Sequence, residues 1–207
     1  MPMAVSLRER KKAATRNELM SVALRLFETQ GFDNTTVEEI AAAAEVAPRT
    51  FFRYFPTKVD VLFADHPEQI ALLRETLATR PPDEAVIDAV RRATLERISE
   101  VVADPSPFLT RSRLVASVPA AHAHSRHLDS EYEAVIAEAV AADSQTHPAT
   151  DLQARVIARA TWGAVCAARD TWLESDAKRE PPTLLNQAFD LLERGLRPTP
   201  PVAGRAV

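Results

Sequence analysis

The chain is poor in several things, and each scarcity excludes a class of protein. Its 207 residues hold one cysteine, Cys166. A single thiol forms no internal disulfide framework and fits a reducing compartment. There are four glycines and neither an Asn-Gly nor an Asp-Gly dipeptide, so the usual chemistry of tight hairpins is missing. No apolar run approaches the ~20 residues of a membrane span. The start, MPMAVSLRERKKAATR, lacks the apolar stretch of a secretory leader. A soluble, cytoplasmic protein with no membrane partner is therefore expected. Glycine-rich phosphate loops, nucleophile elbows and paired-carboxylate patterns are missing as well, so neither an enzyme nor a cofactor is expected. Nor is there an excess of positive charge: 25 Lys and Arg face 29 Asp and Glu, a net −4. Taken alone, that total argues against a nucleic-acid partner.

What is present points to an all-α fold. Ala, Leu, Glu and Arg are strong helix formers. The fifteen prolines fall mostly between periodic segments, as helix punctuation does. The periodicity predicts about nine helices. The first begins between Leu7 and Lys12 and stops at Gly31, with Leu19, Val22, Ala23, Leu26 and Phe27 as its apolar face. Thr35 with Glu38, or Thr36 with Glu39, offers a capping box for a short helix through Ile40 to Ala43. The chain turns at Glu45–Ala47, and Pro48 opens a third helix to about Phe55. Thr57 caps a long fourth helix, Lys58 to Ala78, with a kink or break at Pro67. Further helices are expected from Pro81-Pro82-Asp83 to Ala103, around 105–117, from Pro119 to Asp143, from Pro148 or Asp151 to Glu174, and from Pro181 to Gly195. A disordered tail is expected over 198–207.

Residues 35–58 read TTVEEIAAAAEVAPRTFFRYFPTK. Two short helices joined by a tight turn would place Val37, Ile40 and Ala44 inward on the first, and Val46, Phe51 and Phe55 inward on the second. Phe52 is expected in the core with Phe51 and Phe55. Pro48, Arg49, Thr50, Arg53 and Tyr54 remain outward, followed by Lys58. An apolar back and a cationic, hydroxyl-bearing front suit the second helix of a helix-turn-helix lying in a major groove.

This segment resembles the TetR family of bacterial transcriptional regulators. The match rests on the Thr before the first helix, Ile40-Ala41, Val46, Thr50-Phe51-Phe52-Arg53-Tyr54-Phe55, Pro56-Thr57-Lys58 and Leu62. Where the family usually has Gly in the turn, this chain has Glu45; where it usually has Ser or Thr at the cap, this chain has Ala47. The resemblance implies a three-helix DNA-binding domain over residues 1–57 and a larger helical ligand-binding and dimerisation domain over 58–197. It implies DNA contacts from Thr36, Thr50, Tyr54 and Lys58. Arg49 and Arg53 are expected on bases or phosphates, and a basic arm of Arg8, Arg10, Lys11, Lys12 and Arg16 along the duplex. The stretch 111–123, RSRLVASVPAAHA, with Trp162 downstream, is similar to actinobacterial members such as those of the mycofactocin system, some of which respond to acyl-CoA thioesters.

The expected function is that of a homodimeric repressor on palindromic operator DNA, released by a small-molecule inducer. Activation or dual regulation by the same fold is the alternative. Phe108, Arg111, Trp162 and Cys166 are the candidate ligand contacts; the aromatic residues equally suit an ordinary core. Ala160, Gly163, Ala167, Leu185, Phe189 and Leu192 are the candidate dimerisation residues, because two helices there are apolar over more than one face. A remote alternative is a metal-dependent enzyme using His122, His124 and His127. Finally, the charge divides unevenly. Residues 1–60 carry nine cations and eight anions, and residues 61–207 carry sixteen and twenty-one. The net −4 thus averages a mildly basic head with an acidic body.

Overall fold

A computed structural model describes residues 7–175 and 178–195, without the side chains of 7–9. Among them lie nine α-helices and no strand. These are α1 (Leu7–Gln30), α2 (Val37–Ala43), α3 (Pro48–Tyr54), α4 (His66–Ala78), α5 (Val86–Ala103), α6 (Ser106–Ser117), α7 (Pro119–Asp143), α8 (Leu152–Glu174) and α9 (Pro181–Glu193), with a 3-10 segment, Val59–Phe63, before α4. None is long and apolar enough to cross a membrane. The tail expected to be disordered, 198–207, lies outside the described residues.

Local chemistry sets these boundaries. Gly31, at φ +87°, ends α1. Thr36 caps α2 in a complete capping box: its hydroxyl accepts from Glu39 N–H, and the Glu39 carboxylate accepts from Thr36 N–H at 2.8 Å. Of the two boxes open in the sequence, this is the one formed. Helix α2 ends in a Schellman motif, with Val46 N–H on Ala41 O at 2.9 Å and Glu45 N–H on Ala42 O at 3.1 Å. Glu45 occupies its left-handed position at φ +54°. Gln145 repeats the device after α7, also at φ +54°.

Two expected helices are shortened. The span expected as one helix from Lys58 to Ala78 is divided. Asp60 accepts from both the N–H and the hydroxyl of Thr57, which winds the chain tightly into the 3-10 segment. Pro67, having no N–H to give, sits in the first turn of a fresh helix rather than kinking an old one. Helix α5 starts at Val86 rather than at Pro82. The intervening turn closes with Glu84 N–H on Pro81 O, and Arg80 donates to the carbonyls of Leu77 and Glu84.

The helices form two compact units, one of residues up to 72 with 104–131, the other of 73–103 with residues from 132 on. In the first, Leu19, Val22, Ala23 and Phe27 of α1, Ile40 of α2, Phe51 and Phe55, Val61, Leu62 and Ala121 make one core. Its α1–α2 turn is held from below. Lys58 Nζ donates to Phe32 O at 2.6 Å and Thr35 O at 2.8 Å, and lies 4.3 Å from the Phe32 ring centroid. In the second unit, α8 packs along α9, and α5 packs on both. Arg91 of α5 spans to Asn186, Asp190 and Glu193 on α9.

Three outcomes follow from these contacts. Glu45→Gly removes the left-handed penalty, partly offset by the freer unfolded chain, and should stabilise the protein by about 0.5 kcal/mol in a denaturant titration. Lys58→Met leaves two carbonyls without their charged donor and should cost about 2 kcal/mol in the same measurement without any DNA present. The backbone N–H of Thr36, then its hydroxyl, holds the Glu39 carboxyl below its ordinary value of 4.5. The contribution of this box is therefore complete above about pH 4.5 and is lost as the pH falls further; Glu39→Gln should flatten that part of the stability–pH curve.

Candidate nucleic-acid interface

Helix α3 has seven residues and is positioned by its back. Phe51 and Phe55 are fully buried, with ring centroids 5.5 Å apart. Pro48 fixes the first helical position, and Ala47 supplies no side-chain cap. The outward face carries Arg49 and Arg53, both exposed, with Thr50 and Tyr54 half-buried beside them. No acidic residue lies on α3, and neither arginine pairs with a carboxylate among the described residues. The Arg53 guanidinium lies 5.1 Å from the Tyr54 ring centroid, its Nη2 3.5 Å from the Tyr54 hydroxyl. The ring therefore steers a long cation without neutralising it.

Phe52 departs from the expectation. It is 51% exposed, while Phe51 and Phe55 take the core. At seven residues, α3 turns only two aromatic positions inward, and 52 falls on the cationic side with 49 and 53. The helical spacing of 48, 49, 52 and 53 was the available clue; the aromatic run concealed it.

The remaining candidates divide. Lys11 and Lys12, with Arg10, are exposed on the first turns of α1; the expected arm is part of that helix. Arg8 has no described side chain. Arg16 turns away instead, pairing with Glu68 at 2.9 Å and lying 5.7 Å from the Phe55 ring centroid. Thr36 is exposed, but its hydroxyl both accepts from Glu39 N–H and donates to the Glu39 carboxylate at 3.0 Å. Two of the three hydrogens of the Lys58 ammonium are directed at main-chain carbonyls.

Of the ligand candidates, Phe108 and Arg111 belong to the first unit and Trp162 and Cys166 to the second. Arg111 pairs with Asp65 at 2.7 Å and lies over the Phe108 ring. Trp162 stacks on Tyr132 with centroids 3.9 Å apart; Cys166 is half-buried. One buried polar residue has no signal in the sequence. Thr161, on the inner face of α8, is completely buried, and its hydroxyl has no hydrogen-bond partner among the described residues. By contrast, Thr171 on the same helix folds its hydroxyl back onto Ala167 O at 2.8 Å.

Among the dimerisation candidates, Leu185 and Phe189 are 1% exposed within their own chain. They hold α9 from inside and present nothing to a second copy. Gly163 and Ala167 are exposed, and Ala160 and Leu192 half-buried. The histidines do not form a metal centre: among the described residues no group of three or more His, Cys, Asp or Glu is gathered for a metal ion. His122 and His127 are exposed. His124 packs on Phe63, with its Nε2 3.6 Å from Asp60 Oδ1.

Comparison with known proteins agrees with this geometry. Residues 19–64 match the family model of bacterial regulatory proteins of the tetR family, and residues 84–197 match the MftR C-terminal domain. The HTH-type transcriptional regulator TcmR of Streptomyces glaucescens is 33% identical over 205 residues, covering 95% of this chain and 89% of that protein. A putative mycofactocin biosynthesis transcriptional regulator, MftR of Mycobacterium tuberculosis, is 29% identical over 187 residues, covering 90% and 93%. Among solved structures, the transcriptional regulator FadR of Bacillus subtilis, in complex with stearoyl-CoA, shares the fold. Its TM-score is 0.61 at 17% identity, covering 87% of this chain and 99% of that one. The chain belongs to the TetR family and is a DNA-binding transcriptional regulator, not an enzyme.

Proposed function

We propose that the protein is a homodimeric repressor of the bacterial cytoplasm. Each protomer inserts α3 into a major groove of a palindromic operator. The observation that carries this reading is the exposed, acid-free face of α3, with Arg49 and Arg53 held outward by the burial of Phe51 and Phe55. Guanidinium groups in that position suit the O6 and N7 acceptors of guanine, and phosphates at the groove's edge. Thr50 and Tyr54 add hydroxyls at the groove's margin, and Lys11 and Lys12 add charge for the backbone. Thr36 and Lys58 contribute by shaping the turns around α3.

The dimer is supported by apolar surface left on α8 and α9. Leu152 and Val156 on α8 and Leu191 on α9 are exposed. Ala160, Gly163 and Ala167 continue the α8 face with small side chains, and a Cβ at Gly163 would meet nothing within 4 Å. A second copy covering this surface would close a four-helix seam by two-fold symmetry.

Release by a small organic molecule is supported by Thr161, whose buried hydroxyl has no partner among the described residues, and by the stearoyl-CoA bound in the FadR complex. Such an inducer must bind the non-reading conformation more tightly than the reading one.

The test starts with selection of bound fragments from genomic DNA, followed by mobility-shift titration on a selected duplex. Arg53→Ala should weaken binding at least tenfold, a loss typical of one good base contact. Its size by light scattering should stay that of the wild type. Binding unchanged by Arg53→Ala would defeat the placement of α3.

A further inference from the structure

The exposed ring of Phe52 has no role in the functions described above. An apolar side chain half in water is unremarkable when isolated. This one is not isolated. It sits one turn from Pro48 and Arg49 and next to Arg53, all exposed on the same face. Among the described residues its one aromatic neighbour is Phe51, which meets it edge-on at 5.6 Å and 84°, leaving the outer surface of the ring open. Arg53 leans on Tyr54 and does not cover it. The surface is thus an apolar disc flanked by two cations, with no carboxylate on the helix.

The matching surface must be apolar at its centre and anionic at its rim. A major groove at a thymine has this form. The 5-methyl group is the apolar feature that base edges display there, and phosphates border it on both sides. A phenyl ring has neither donor nor acceptor, so it reads no part of the hydrogen-bond code. It reads only the presence of the methyl. We infer that Phe52 determines operator sequence by packing on the 5-methyl group of a thymine in each half-site. This rests on the reading of α3 as the groove-entering helix and adds to it the identity of one recognised base.

Deoxyuridine differs from thymidine by that methyl alone, so it is the probe. A duplex selected from genomic DNA is remade with each half-site thymidine replaced singly by deoxyuridine. For the wild-type protein one position should cost about fourfold in affinity, the worth of one buried methyl. The same replacement in both half-sites should cost about fifteenfold. Phe52→Ala should bind the thymidine duplex more weakly and be indifferent to deoxyuridine at that position. Phe52→Leu, still apolar, should keep the discrimination. Three results would overturn the inference: half-sites without thymine, equal wild-type affinity for all the deoxyuridine duplexes, or an undiminished deoxyuridine penalty in Phe52→Ala. Conversion of Phe52→Ala to a monomer in light scattering would also overturn it, assigning the ring to a second copy of the chain. Arg53→Ala separates the two readings. If it weakens binding while Phe52→Ala leaves the deoxyuridine penalty intact, only the thymine contact fails. If neither variant alters binding, the placement of α3 fails.

Discussion

A helix of seven residues has no stability of its own in water, because its nucleation cost exceeds the return from so few hydrogen bonds. Helix α3 exists because Phe51 and Phe55 are driven into the core formed by Leu19, Val22, Phe27 and Ile40. Each buried ring contributes on the order of 2 kcal/mol, which is large against the small helix it holds. The outward direction of Arg49 and Arg53 is a by-product of that burial. Side chains on the far side of an anchored helix have little choice of direction.

The segment after α3 is secured from several sides. Arg16 reaches Glu68 from α1, His124 reaches Asp60 from α7, Arg111 reaches Asp65 from α6, and His66 reaches Glu131. Individually, such partly exposed pairs are weak. Their value here lies in distribution, since residues 57–68 cannot shift along any one helix without lengthening a contact to another. Asp60 divides its work between its two oxygens. Oδ2 winds the 3-10 segment through Thr57, and Oδ1 faces His124.

The parts legible in the sequence are those governed by neighbouring residues. Gly31, the Thr36–Glu39 box, Pro48 and the Asp151 cap of α8 each act within four residues, so spacing alone reveals them. The left-handed turn at Glu45 could be anticipated because the turn is tight there whatever residue fills it. What escaped depends on neighbours remote in the chain. Phe52 looks like core in a run of aromatics; helical spacing hints at its place beside Arg49 and Arg53, and the packing of Phe51 and Phe55 against α1 and α2 settles it. Leu185 and Phe189 read as surplus apolar surface until α5 and α8 are seen to cover them. Lys58 matches a nucleic-acid contact by position, yet its amine is directed at carbonyls 23 and 26 residues away. The unsatisfied hydroxyl of Thr161 has no sequence signature at all, since threonine in a helix ordinarily bonds to its own backbone.

The division of α3 into an anchored back and an exposed front also bears on how such a regulator diverges. Substitutions at 51 and 55 act on the fold. Substitutions at 49, 52 and 53 act on a surface where most exchanges shift stability by no more than about 0.5 kcal/mol. The two sets interleave in sequence and meet at the edge-on contact of Phe51 with Phe52. Under the proposed placement of α3, a lineage acquires a new operator by altering three side chains while its scaffold stays under unchanged selection. Duplicated copies can then part in DNA preference long before they part in shape.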